Sequence, residues 1–260
     1  MPIGPAGKER AMGRIDFGGR ESRFRRQAAD AGKSRFGRRA ADGLMAINVL
    51  LLPDERALER ARALNATLRA SFAPGFAFDD THEPHVTALQ RYVGAADLGG
   101  VLGAIEGVVP DADLGELRLR ATGLDGLEFG TPPGSLLAGI AIEPAATLRV
   151  LQGLLVEALA RHSEAGGTPE AFYASGSEPQ ANAATVAYVE GYVPARTGER
   201  YRPHMTVGVA TTEALEHLTA AFVPFELSVR AVAAYQLGDL GTARRALRVW
   251  PLRAQGPASR

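Results

Sequence analysis

The chain begins without an apolar pattern and then acquires one. Residues 1–43 are rich in Gly, Arg and Ala and lack any periodicity, so they read as a basic tail. From Leu44 the pattern changes. Residues 46–52 (AINVLLL) form a short β-rich apolar run closed by Pro53 and Asp54, which predicts a buried strand. Over residues 55–71, Ala57, Leu58, Ala61, Leu64 and Leu68 fall at helical spacing with Arg and Glu between them, which predicts an amphipathic helix. Residues 84–93 then read as a strand and 97–108 as a helix. Residues 117–121 and 126–129 read as two strands around a turn.

The second half repeats that order. Residues 136–142 predict a strand closed by Glu143 and Pro144, and 148–162 an amphipathic helix. A Gly-, Ser- and Pro-rich loop over 166–180 reads as a mobile connector, with a lid as the rival reading. A short helix is predicted over 183–192, a strand over 203–209, a helix over 213–221, and a closing strand pair over 227–237 and 246–251. Each half thus runs apolar strand, acidic-Pro stop, helix, loop and a strand opening Pro-His-x-Thr. An internal duplication explains the match. The predicted fold is α+β and bilobal, with two antiparallel sheets and outer helices around a central cleft. One domain spans 44–252, with lobes of about 44–130 and 131–252, followed by a tail over 253–260.

Composition narrows the classes. At 260 residues, 46% hydrophobic and 22% charged, the chain is long and apolar enough to bury a core. No run of about 18 uncharged apolar residues occurs, so neither a membrane span nor a membrane partner is expected. The lack of cysteine excludes disulfides, Cys-ligated zinc and a thiol nucleophile. The formal charge of zero hides an asymmetry: the first 43 residues hold 11 of the 29 Lys and Arg but only 5 of the 29 Asp and Glu. The remaining body is acidic, a poor general binder of long polyanions but compatible with a small phosphate ligand. Arg38-Arg39 ahead of the first apolar run resembles a twin-arginine signal in outline. That run reads as a core strand, however, which cleavage would remove. A disordered tail, or translation from Met45, is the plainer reading. The expected location is the cytoplasm, with the periplasm or export following only if the tail is a targeting sequence. No obligatory protein partner is expected, and the protein reads as a monomer.

Two of the five histidines, His85 and His204, are each followed two residues later by threonine: His85-Val86-Thr87 and His204-Met205-Thr206. On a strand, positions i and i+2 share a face, so each motif presents an imidazole beside a hydroxyl. A phosphodiester suits such a pair. Two imidazoles, with an ordinary pKa near 6.5, can act as base and acid on opposite sides of phosphorus. The threonine hydroxyls can donate to the non-bridging oxygens. No metal or other cofactor is required.

These motifs, Pro84-His85-Val86-Thr87 and Pro203-His204-Met205-Thr206, resemble the twin His-x-Thr/Ser motifs of the 2H phosphoesterases, the superfamily of LigT-like "2′-5′ RNA ligase" and cyclic phosphodiesterase proteins. The resemblance covers roughly residues 44–252 and includes Tyr235-Gln236-Leu237-Gly238. It implies two sheet lobes around a cleft and metal-independent hydrolysis of a 2′,3′-cyclic phosphate on a nucleotide or short RNA end, usually to a 2′-phosphate. It further implies His85 and His204 as the acid/base pair, with a lean toward His85 as acid, and Thr87 and Thr206 as phosphate ligands. The second motif departs from the many RNA-directed members that carry an arginine shortly after it, since Thr206 is followed by Val207-Gly208-Val209-Ala210. The alternatives are an RNA 2′-5′ ligase or RNA-end processing enzyme, or a nucleotide-binding module of the same fold with little turnover.

The other candidates are weaker. If the strand stays regular, residues 85, 87, 89 and 91 share a face, which makes Arg91 the nearest cation to the phosphate. Tyr201 and Arg202 precede the second motif and can line the cleft, and Tyr235 can stack on a base. His82-Glu83-Pro84-His85 is not a zinc motif, because the spacing is three and Pro84 breaks a helix. His82 reads as a loop residue at the cleft mouth, and His162 and His217 as structural. Gly238-Asp239-Leu240-Gly241 lacks a nucleotide-binding frame and reads as a turn.

Overall fold

Strand β1 (Leu44–Pro53) is buried along nearly its whole length, as its apolar run, interrupted by Asn48, demands. Asp54 then caps helix α1 (Glu55–Ser71). Its Oδ1 accepts from the Ala57 N–H at 3.0 Å, and its Oδ2 accepts from the Ser228 N–H at 2.6 Å. One carboxylate thus starts the helix and ties it to the last long strand. The computed structural model describes residues 43–78, 82–110, 112, 114, 117–175 and 179–252. The basic tail and residues 253–260 lie outside them.

After α1 come β2 (Val86–Gly94), α2 (Leu98–Val108), β3 (Arg118–Leu127), β4 (Ser135–Ile142), α3 (Ala146–Leu159) and β5 (Ser163–Glu164). Then follow α4 (Ala183–Glu190), α5 (Tyr192–Arg196), β6 (His204–Thr211), α6 (Thr212–Ala220), β7 (Phe225–Leu237) and β8 (Ala243–Pro251). The class is α+β. The strands pair in the order β5-β2-β1-β7-β3-β4-β6, with β8 on β7, and every pairing is antiparallel. Among the described residues, no helix is long and apolar enough to cross a membrane.

The two sheets expected for the two lobes are joined by β7. Its first residues, 225–228, pair with β3, and its later residues pair with β1 and β8. The sequence halves therefore exchange strands: β3 of the first half sits with β4 and β6, and β7 of the second half sits beside β1. Helices cross over too, with α1 packing on β6 and α3 on β2. A division near residue 130 describes the repeat but not the sheets.

Three local expectations change. Residues 117–129 hold the single strand β3, not two strands and a turn. Gly126, expected to open the second strand, lies inside β3 and serves close packing: a Cβ there would lie 2.5 Å from Leu215 and 2.8 Å from Leu136. The helix expected over 183–192 ends at Gly191, and α5 begins separately at Tyr192. The connector over 166–180 is anchored in its described part. Phe172 is buried edge-on against Tyr92, and the Tyr173 N–H donates to the Leu237 carbonyl at 2.7 Å.

Candidate two-histidine active site

Val86 and Met205 are fully buried, which leaves His85 with Thr87, and His204 with Thr206, on the opposite faces of their strands. All four side chains line one cavity of about 330 Å³. Each strand then bulges at the same place. In β2, Thr87 pairs with Leu50 and Leu89 with Val49, so Ala88 has no partner. In β6, Thr206 pairs with Gly139 and Gly208 with Ala138, so Val207 has none. The two halves match residue for residue.

A bulge frees a backbone carbonyl that must be paired if buried. Here a buried amide side chain from the other half does this in both cases. Gln152 of α3 donates to the Ala88 carbonyl at 3.0 Å, and Asn65 of α1 donates to the Val207 carbonyl at 2.9 Å. Gly208 takes φ +148°, which a glycine tolerates, and a Cβ there would lie 3.2 Å from Asn65 Nδ2. The exchanged helices thus hold the geometry of the two histidine strands.

Both imidazoles are oriented alike. His85 Nδ1 lies 2.7 Å from the Glu83 carbonyl, and His204 Nδ1 lies 3.0 Å from the Arg202 carbonyl. In each case the residue two positions back takes the Nδ1–H, so a neutral ring carries its lone pair on Nε2. Burial pushes the His85 imidazole down to about 4. The Glu83 carbonyl opposes that shift, and the second imidazole adds to it. Burial also lowers His204. The Arg202 carbonyl and Asp125 favour its charged form, and Arg196 disfavours it.

The rest of the cavity wall comes from distant segments. Arg196 and Arg202 supply the cations, Asp125 an anion, and Phe129 and Tyr188 an aromatic wall with ring centroids 4.8 Å apart, packed edge to face. Gln152 also accepts from the Gly198 N–H and donates to the Arg196 carbonyl, which pins the segment carrying Arg196. Arg202 lines the cavity, as its place just before the second motif suggests, whereas the sequence does not single out Arg196, Phe129 or Tyr188. Nothing local marks these residues, because tertiary packing brings them to the cavity.

The other sequence candidates divide. Arg91 does not line the cavity. The bulge at Ala88 reverses the alternation, so Leu89 turns to the core and Gln90 takes the wall position assigned to Arg91. Tyr201 lines the cavity, but its hydroxyl is committed, donating to the Thr87 carbonyl at 2.7 Å. Tyr235 does not line it. The residue lies on β7 between Asn48 of β1 and Ala246 of β8. His82 stacks on Phe76 and meets the Arg244 guanidinium in a small adjoining hollow. His162 is buried against Asp97 at 2.7 Å, and His217 is exposed on α6. Residues 238–241 form a turn whose Leu240 and Gly241 reach the cavity.

No family model matches the chain, and no curated protein matches it. Among solved structures, 13 chains match. One is the crystal structure of TT0787 of Thermus thermophilus. That chain is 16% identical, with 82% of this chain and 100% of that one covered, and superposes at a TM-score of 0.49.

Proposed function

We propose that this protein is a phosphodiesterase that opens a 2′,3′-cyclic phosphate on a nucleotide or short RNA end, leaving a 2′-phosphate. One observation carries the reading. Two histidines in matching bulged strands hold their Nδ1–H groups on local carbonyls, and each has a threonine hydroxyl beside it on the wall of one cavity. Paired imidazoles of fixed tautomer suit a reaction that needs one proton removed and one delivered. The hydroxyls of Thr87 and Thr206, with Arg196 and Arg202, suit charge building on the non-bridging oxygens. The aromatic wall of Phe129 and Tyr188 suits a base, and a cavity of about 330 Å³ fits a mononucleotide or a chain end.

In the reaction, one imidazole takes a proton from water and the water oxygen bonds to phosphorus. The P–O3′ bond breaks, and the second imidazole, entering protonated, delivers its proton to O3′. Electrons and atoms balance without a redox partner. The test is turnover of the four 2′,3′-cyclic nucleotides by the purified full chain with EDTA present. The expected result is a nucleoside 2′-phosphate from at least one of them. No hydrolysis of any cyclic nucleotide or cyclic-phosphate oligonucleotide would overturn the reading.

A further inference from the structure

The two motifs agree in residue type, bulge and Nδ1 partner, yet differ in what meets Nε2. The matching registers pair Asn48 with Gln90, three residues after Thr87, and Leu137 with Val209, three residues after Thr206. Asn48 and Leu137 therefore hold the same place in the two halves. Asn48 is fully buried, with Nδ2 3.0 Å from His85 Nε2 and 3.2 Å from Thr87 Oγ1. Leu137 offers no polar atom.

We infer that Asn48 makes the two histidines unequal: its amide holds His85 neutral with a lone pair on Nε2, so that His85 enters as the proton acceptor and His204 as the donor. This order rests on the phosphodiesterase reading and reverses the lean taken from family resemblance. The Glu83 carbonyl already takes the Nδ1–H of His85. A doubly protonated ring would set its Nε2–H against the N–H of Asn48, and a buried amide has no water to turn to. Turning the amide over would place Oδ1 on His85 and Thr87. It would also bury the amide N–H groups where Oδ1 now lies without a partner. One orphaned carbonyl is the smaller cost.

The surrounding charges are divided. His204 faces His85 and opposes a second positive charge. The Glu83 carboxylate is held at 2.8 Å by Arg230. Arg196, Arg202 and Asp125 stand in the cavity wall, and His82, which meets Arg244, borders the adjoining hollow. Of these, Arg196 disfavours a proton on His204 and Asp125 favours one. For His85 to take the proton from water, the Asn48 N–H must first give up the Nε2 lone pair, and it then keeps Thr87 Oγ1 as its acceptor. After O3′ leaves with the proton from His204, solvent returns each imidazole to its starting state. Asn48 acts through His85 and is a positioning residue.

Asn48→Leu copies the other half of the molecule. The histidine resonances of the full chain, assigned with His85→Gln and His204→Gln, are followed by NMR across pH with no substrate present. The His85 midpoint is expected to rise by about one pH unit, while that of His204 barely moves. With a 2′,3′-cyclic nucleotide, the acid limb of kcat/KM is expected to rise with it and the alkaline limb to stay. An unchanged His85 midpoint, equal movement of both histidines, or movement of the alkaline limb alone would overturn the inference. Should Asn48→Leu not fold, Leu137→Asn is expected to lower the His204 midpoint, and no change would count equally against it. A shifted His85 in a protein that turns over no cyclic phosphate would leave the Asn48–His85 coupling standing and end the phosphodiesterase reading.

Discussion

His204→Ala is expected to lower kcat on a 2′,3′-cyclic nucleotide by roughly 10³-fold, and His85→Ala by a similar factor, since each removes one proton-transfer group. The fold should survive both changes. Each ring donates only to a carbonyl two residues away, and neither links distant elements through Nδ1. The double variant should be little worse than either single one, because a base without its acid does not complete the reaction. Stability should separate them. His85→Ala strips Asn48 of one acceptor at a buried site, at a cost of about 1 kcal/mol, and His204→Ala has no such partner to strand. Steady-state kinetics and thermal melts on the three variants check this. A single variant with near wild-type kcat would remove that histidine from the mechanism.

Thr87→Val and Thr206→Val are nearly isosteric and remove one hydroxyl each. Each is expected to lower kcat by roughly 10²-fold with KM changed far less, the pattern for a donor that counts mainly as charge develops. The two should differ in stability. Thr87 Oγ1 accepts from Asn48 at 3.2 Å, so Thr87→Val disturbs the buried amide while Thr206→Val does not. Equal kcat and raised KM in both would make the hydroxyls ground-state binders, not transition-state donors.

What the sequence made legible was local. His85 with Thr87 and His204 with Thr206 follow from the period of a strand, and the buried Val86 and Met205 confirm the facing. Helix α1 was legible to its ends because Asp54 caps it and its apolar spacing is clean. The bulges were not legible. Ala88 and Val207 sit in runs that read as regular strand, and the amides that stabilise the bulges lie 64 and 142 residues away. That single irregularity moved Arg91 off the wall and put Gln90 on it. Arg196 and Phe129 were hidden for a related reason. Phe129 follows β3, whose pairing with β4 the repeated pattern of 44–130 and 131–252 does not reveal, and the Arg196 segment is held by Gln152, 44 residues away. Tyr235 misled because β7 is long and carries it between β1 and β8.

The central claim is that two imidazoles, one from each half, act on a single phosphorus atom. A crystal structure of the full chain with a nucleoside 2′-monophosphate tests it most directly. The account predicts both Nε2 atoms within hydrogen-bond reach of oxygens on opposite sides of one phosphorus, with the Thr87 and Thr206 hydroxyls on the remaining oxygens. A phosphate seated elsewhere, or held by one histidine with the other turned away, would contradict it.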